Sequence, residues 1–347
     1  MNRPGASLTP IAKLGEFGLI DRILLGMEPK QKTTILGPGD DAAVCDIKLR
    51  QLISTDSMVE GIHFDLSYSP LKHLGYKAVS SALSDIYAMN GKPTGVLISL
   101  AIGSRYTVEA IEEIYRGIHK ACLYYEVDVL GGDTTSSRAG LMINVTAIGE
   151  AKEDQIVYRK GAQEGDLICV SGTLGSAYLG LQVLEREKAV YAADPNMQPA
   201  LDEYQVLVER QLKPEARKDI IEELSKLGVI PTSMIDVSDG LSSELMHICR
   251  QSEVGCLIYE ENIPIHEQAM TVAMDEFKIS PVTCALSGGE DYELLFSVNK
   301  KQKDLIRSIP NVSIIGEIRP TSEGRKLMSP KGEQHELVAQ GWQHLSE

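Results

Sequence analysis

Acidic residues recur where apolar runs stop, each beside Gly, Ser or Thr. MIDVSDGLSSEL (234–245) is the fullest case: a short apolar run ends in Asp236-Val-Ser-Asp239, and Gly240 then opens a helical pattern. Read as alternate positions at a strand end, the two carboxylates are expected to point the same way, a geometry that favours a cation. An Asp before a helix is also a common plain N-cap. The device repeats in GPGDDAAV (37–44), STDSM (54–58), ALSDIYAM (82–89), GGDTTSS (131–137) and SGGEDYELLF (287–296). So many acids outside charge runs imply a shared purpose.

Ser54, Thr55 and Asp56 are oxygen donors of the kind Mg²⁺ accepts. Asp85 follows Leu71, Leu74, Ala78 and Ala82 at spacings of three and four, which sets it on the apolar stripe of a helix, where a carboxylate is costly unless paired or metal-bound. Asp41, Asp56, Asp85, Asp133, Asp236 and Asp239 are too many for one divalent ion. Several Mg²⁺ ions bridging a polyphosphate would use them all, because Mg²⁺ takes a few carboxylates with phosphate oxygens and water. Phosphoryl transfer fits, since it needs positioning and charge neutralisation more than a protein nucleophile. Arg159 could add a direct phosphate contact. Residues 37–42 superficially match the G-x-G-x-x-G/A dinucleotide fingerprint, but Asp40 and Asp41 would face a pyrophosphate, and AVCDIKLRQLISTD reads as a hairpin leading to a strand where the fingerprint needs a helix. SGTLGSA (171–177) can bind an anion through free N–H groups or form a plain tight turn.

Helical spacing is expected over 15–27 and 71–89, and Thr107 is expected to cap a helix to about Tyr125. Strands are expected at 51–58, 96–102, 127–130 (delivering GGD as a loop) and 141–148. A polar segment near 150–165 reads as the joint between a domain of residues 1–150 and one of 151–347. Beyond it come a strand at 166–171, a helix at 173–187, helices near 201–212 and 215–227, the 234–252 strand and helix, a strand at 256–260, a helix near 266–275 and a last helix and strand. His63 sits in a polar loop.

The 347 residues, 43% of them hydrophobic and 24% charged, suit two ordinary soluble domains. No apolar run approaches membrane-spanning length. A net charge of -15 opposes nucleic acid and anionic lipid as partners. The six cysteines include no C-x-x-C pair and read as buried thiols in a reducing compartment, so the cytoplasm is expected.

GEFGLI, GPGDDAAV, STDSMVEGIHF, KAVSSALSDIYAMNGKP, GGDTTSS, IDVSDGLSSEL and SGGEDYELLF, in this order from residue 15 to about 296, together resemble the thiamine-monophosphate kinases of the PurM or aminoimidazole ribonucleotide synthetase-like superfamily. The resemblance implies an α/β fold of the α+β kind in two PurM-like domains, the first pairing its sheet with a second subunit in a homodimer. It implies ATP-dependent phosphorylation of thiamine phosphate to thiamine diphosphate by direct in-line transfer with several Mg²⁺ ions, a monovalent cation being a further candidate. Asp41, Ser54, Thr55, Asp56, Asp85, Asp133, Asp236 and Asp239 match the family's magnesium positions. Tyr124, Gly132, Asp133, Arg159 and Ser238 match positions contacting ATP, and His63, Glu290 and Trp342 those holding thiamine phosphate. An aromatic at 342 suits a cationic thiazolium. The alternatives are an aminoimidazole ribonucleotide synthetase-like enzyme and a non-catalytic nucleotide or metal sensor. Residues 196–226 carry no motif.

Overall fold

β-Branched and leucine residues alternate with small or hydroxyl ones along residues 92–103 and 142–151, the signature of a sheet with one face packed and one open. In the computed structural model, which describes residues 9–38 and 43–338, both stretches are strands of the first of two units. This unit runs to Ile86 and resumes over Gly91–Glu153; the second takes Tyr87–Asn90 and the chain from Asp154. The first contains α1 (Ile11–Ile23), β1 (Thr34–Leu36), β2 (Val44–Cys45), β3 (Arg50–Val59), α2 (Leu71–Ala88, its end in the second unit), β4 (Lys92–Gly103), α3 (Val108–Tyr125), β5 (Asp128–Ser137) and β6 (Met142–Ala151).

The main sheet has the order β3-β6-β4-β5, antiparallel except for the parallel β4/β5 pair that α3 connects. Val96, Ile98 and Leu100 of β4 and Ile143, Val145 and Ala147 of β6 are buried. α3 begins where Thr107 Oγ1 accepts the Ala110 N–H at 3.3 Å. α2 and α3 approach backbone to backbone: a Cβ on Gly75 would lie 2.0 Å from the Ile114 carbonyl oxygen, and one on Gly117 1.9 Å from that of Lys72. Only glycine permits this crossing.

One strand expectation changes markedly in extent. β5 does not stop at Leu130 but runs through Gly131-Gly132-Asp133 to Ser137, because pairing with β4 overrides the turn tendency of two glycines. Gly132 sits so near β4 that a Cβ there would lie 1.7 Å from the Ile98 carbonyl oxygen. β1 and β2 pair antiparallel on either side of the GPGDDAA segment, and a strand, not a helix, follows it. α1 begins four residues earlier than the spacing at 15–27 suggests and kinks at Gly15.

The second unit contains β7 (Leu167–Ser171), α4 (Ser176–Ala193), α5 (Gln205–Leu212), α6 (Lys218–Lys226), β8 (Ser233–Val237), α7 (Leu241–Ser252), β9 (Gly255–Tyr259), α8 (Glu267–Thr271), α9 (Pro281–Ser287), β10 (Glu293–Val298), α10 (Lys303–Arg307), β11 (Val312–Arg319), β12 (Arg325–Met328) and β13 (Gln334–Glu336). Its seven-stranded sheet has the order β13-β12-β9-β11-β7-β10-β8. β7, β8 and β10 are buried on both faces, which is why apolar residues predominate in them without a period-2 alternation. Ile168, Val170, Ile235 and Val237 pack with Leu241, Leu245 and Ile248 of α7 on one face. Leu167, Cys169, Met234 and Phe296 pack with Ile220 and Leu224 of α6 and Ile306 of α10 on the other. The helix expected near 266–275 is α8 continued by a π-helical turn, Val272–Phe277.

Candidate functional site

In the first unit, β3 continues to Val59, so its side chains alternate through the STDS segment. Ser54 and Asp56 share one face and Thr55 takes the other, where its hydroxyl lies 3.2 Å from that of Thr146. The Ser54 hydroxyl donates to Asp85 Oδ2. From Leu74 to Ala88 every residue of α2 is buried except Asp85, which is half-buried. The stripe expected from spacing is therefore an almost fully enclosed helix with one opening, and a carboxylate stands in it. Asp56 Oδ1 accepts the Ser57 N–H at 2.8 Å.

Asp56 pairs across the sheet with Val145, Val145 with Ile98, and Ile98 with Gly132, so one rung crosses all four strands. Asp133, exposed, lies one residue beyond that rung on the opposite edge strand. Three inter-strand steps separate the two edges by about 14 Å, too far for one ion to bind both carboxylates. Among the described residues, no group of three or more His, Cys, Asp or Glu side chains could hold a metal ion.

His63 lies in the turn after β3, its Nδ1 accepting the Val59 N–H at 3.0 Å and its own N–H donating to the Val59 carbonyl at 2.9 Å. With Nδ1 an acceptor, the neutral ring carries its proton on Nε2. Tyr124 is 56% exposed, its ring edge-on to Tyr125 at 4.9 Å.

In the second unit, Asp236 is buried within β8, opposite Leu294. The strand ends at Val237, and residues three apart in a strand would face opposite ways, so Asp236 and Asp239 do not share a direction through strand continuity. Asp239 belongs to the turn ahead of α7. Its N–H donates to Glu244 Oε1 at 3.1 Å, and the Ser238 hydroxyl is at the limit of reach at 3.5 Å. Burial pushes the Glu244 carboxyl up to about 7, against the Asp239 N–H that draws it down, while the Asp239 charge raises it and Arg159 lowers it. Burial, then Arg159, lowers His247. The exposed Arg159 thus exerts its charge on the first turns of α7.

SGGEDYELLF and DVSDG interlock. Glu290 and Tyr292 adopt left-handed backbone (φ 66° and 50°), their N–H groups donating to the carbonyls of Ser238 at 2.7 Å and Val237 at 2.8 Å. A Cβ on Gly289 would lie 2.4 Å from the Ser238 oxygen. Glu290 Oε2 accepts from Gln211 Nε2 at 2.6 Å. Asp291 is fully buried and accepts the N–H groups of Gly175 at 2.6 Å and Ala177 at 3.2 Å. The acceptor at the SGTLGSA helix start is therefore this internal carboxyl group. Glu293, also fully buried, accepts from Ser171, Arg210 and Arg217, the last at 2.7 Å.

Glu244, Asp291, Glu293 and the partners of Glu293, Arg210 on α5 and Arg217 just ahead of α6, escaped the sequence reading. A signal existed: EDYELLF puts charge within an apolar run, and buried carboxylates need donors. Asp41 and Trp342 lie outside the described residues. The remaining donors are all oxygen, with Ser54 orienting Asp85, and no thiol stands among them; an all-oxygen donor set of carboxylates and hydroxyls suits a hard cation such as Mg²⁺.

The family model for AIR synthase related proteins, N-terminal domain, matches residues 39–151, and that for the C-terminal domain matches residues 163–327. A thiamine-monophosphate kinase of Aquifex aeolicus (strain VF5) is 34% identical over 329 residues, 94% of this chain and 99% of its own length. That of Bacillus subtilis (strain 168) is 33% identical over 320 residues, 89% of this chain and 93% of its own. The solved structure of AaThiL complexed with AMPPCP and TMP matches with a TM-score of 0.74 at 31% identity, covering 98% of this chain and all of that one. Two AIR synthase related domains, and full-length likeness to these kinases, establish that the chain belongs to the thiamine-monophosphate kinase family.

Proposed function

We propose that the chain phosphorylates thiamine phosphate to thiamine diphosphate, taking the γ-phosphoryl group of ATP by direct in-line transfer. The observation that carries this reading is family membership over almost the whole chain, joined to the Ser54–Asp85 pair at the one opening of an enclosed helix. Ser54, Thr55, Asp56, Asp85, Asp133, Asp236 and Asp239, with Asp41, are the residues that would hold Mg²⁺. Bound Mg²⁺ supplies charge neutralisation on the phosphate oxygens.

The chain's own contribution is positioning. The Ser54 hydroxyl fixes the rotamer of Asp85, and the Glu244 carboxylate fixes the turn that carries Asp239. Arg159, with Gly132, Ser238 and Tyr124, would contact ATP; a guanidinium there meets phosphate oxygens as a permanent charge. His63, Glu290 and Trp342 would hold thiamine phosphate. Residues 1–150 would form the ATP, metal and dimerisation domain and 151–347 the second domain. A second copy of the chain would cover the open face of the first unit's sheet, where Ile53 is 65% and Met142 38% exposed. The proposed compartment is the cytoplasm, and a monovalent cation is a further candidate requirement.

The test is product formation from purified protein with ATP, Mg²⁺ and thiamine phosphate, free thiamine serving as control acceptor. Thiamine diphosphate is expected only with Mg²⁺ and only from the monophosphate. No product from folded protein would return the assignment to another AIR synthase related activity or to a nucleotide or metal sensor.

A further inference from the structure

We infer that α5, through Gln211, is the element that positions Glu290 and thereby tunes recognition of the organic part of thiamine phosphate. This rests on the reading above that Glu290 contacts that substrate. Gln211 is only 4% exposed, and its Nε2 lies 2.6 Å from Glu290 Oε2. Its neighbour Arg210 binds Glu293 three residues further along the same segment. One helix therefore holds both ends of residues 290–293, through side chains adjacent in its own sequence.

The grip is rigid because α5 is itself fixed. A Cβ on Gly180 of α4 would lie 2.1 Å from the Leu207 carbonyl oxygen, so α4 and α5 meet backbone to backbone. The start of α4 is bound in turn by Asp291. The circuit closes: segment to α4, α4 to α5, α5 back to the segment. Within it, Glu290 keeps left-handed backbone that a non-glycine residue adopts only under constraint. The amide of Gln211 orients the Glu290 carboxylate and, being neutral, adds no charge of its own to it. Gln211 is thus a positioning residue acting through Glu290, and it gives residues 196–226 a part in the reaction.

The test is a double-mutant cycle in steady-state kinetics, with Gln211→Met, which keeps the side-chain length and removes the donor, Glu290→Gln, and both together. Gln211→Met is expected to raise KM for thiamine phosphate about tenfold, the least that a hydrogen bond to a charged acceptor is worth, while KM for ATP holds within about twofold. The double variant is expected to be no worse than Glu290→Gln alone, because the two act as one unit. An unchanged KM for thiamine phosphate in Gln211→Met, or losses that add, would overturn the role of Gln211. A silent Glu290→Gln would instead remove the substrate contact on which it rests, and the inference with it. Should Gln211→Met fail to fold, Gln211→Glu keeps polarity and size and is expected to give the same KM split by repelling Glu290; an unchanged KM there overturns the inference equally.

Discussion

Replacing Glu293 by Gln isolates the buried charge network of the second unit. The Glu293 side chain is 0% exposed and faces Arg217, whose side chain is 10% exposed, and Arg210, at 20%. The substitution keeps volume and one acceptor oxygen but leaves two enclosed guanidiniums with a neutral partner. Arg217 retains Asp219 at 2.7 Å; among the described residues, Arg210 is left with the through-space charge of Asp291. Removing one member of a buried ion pair typically costs about 3–5 kcal/mol, and for a fully buried acceptor holding two cations that range is expected to apply in full. Against a usual total of about 5–15 kcal/mol, the variant should unfold at much lower urea concentration. Urea titration followed by far-ultraviolet circular dichroism would measure it. Replacing Glu293, Arg210 and Arg217 together by Leu, Met and Met should recover most of the loss, since well-packed apolar residues often match a buried ionic cluster. A Glu293→Gln loss below about 1 kcal/mol, the scale of a solvated ion pair, would refute the argument.

Asp85→Asn is expected to lower Mg²⁺-dependent turnover roughly 10²–10³-fold, the loss usual for one electrostatic contact at a reacting centre, with the thermal midpoint kept; undiminished turnover would remove Asp85 from the site. Ser54→Ala should raise the Mg²⁺ concentration needed for half-maximal rate while leaving measurable activity, because it frees the Asp85 rotamer without removing the carboxylate; an unchanged Mg²⁺ dependence counts against that orienting role. Burial holds the Asp291 carboxyl up at about 7, whereas the unfolded chain titrates near about 3.9. Its stabilising contribution is therefore complete below about pH 4 and lost as pH rises through about 7. Wild type should lose stability over that window relative to Asp291→Asn, and comparing urea midpoints at successive pH values would expose a wrong sign.

Local chemistry made much of the fold legible. Thr107 caps the helix Val108–Tyr125 as expected, and the mainly apolar runs at 166–171 and 234–237 are strands because both of their faces are covered. What sequence could not supply was pairing at a distance. GGD reads as a turn until β4 lies beside it, and the direction of Asp239 depends on a turn held by Glu244. Arg210, Gln211 and Arg217 look like surface residues of an unremarkable helical stretch because their partners lie 76 to 83 positions away. The acids themselves were legible as types; which of them cap, which brace and which stand open to a ligand was decided by packing.

The central position of β7 also bears on synthesis. It is the first strand of the second unit to be made, yet both its neighbours, β10 and β11, come far later, with Ser171 meeting Glu293 across 122 residues. At about 5–20 residues per second, a nascent chain carries β7 unpaired on both edges for roughly 6–24 s. The first unit's wait is shorter, β3 meeting β6 across 89 residues at Asp56 and Val145, and all its main-sheet strands precede β7. The ribosome thus releases a finished half followed by an adhesive one, and the demand for chaperones falls on the interval between Ser171 and Arg319.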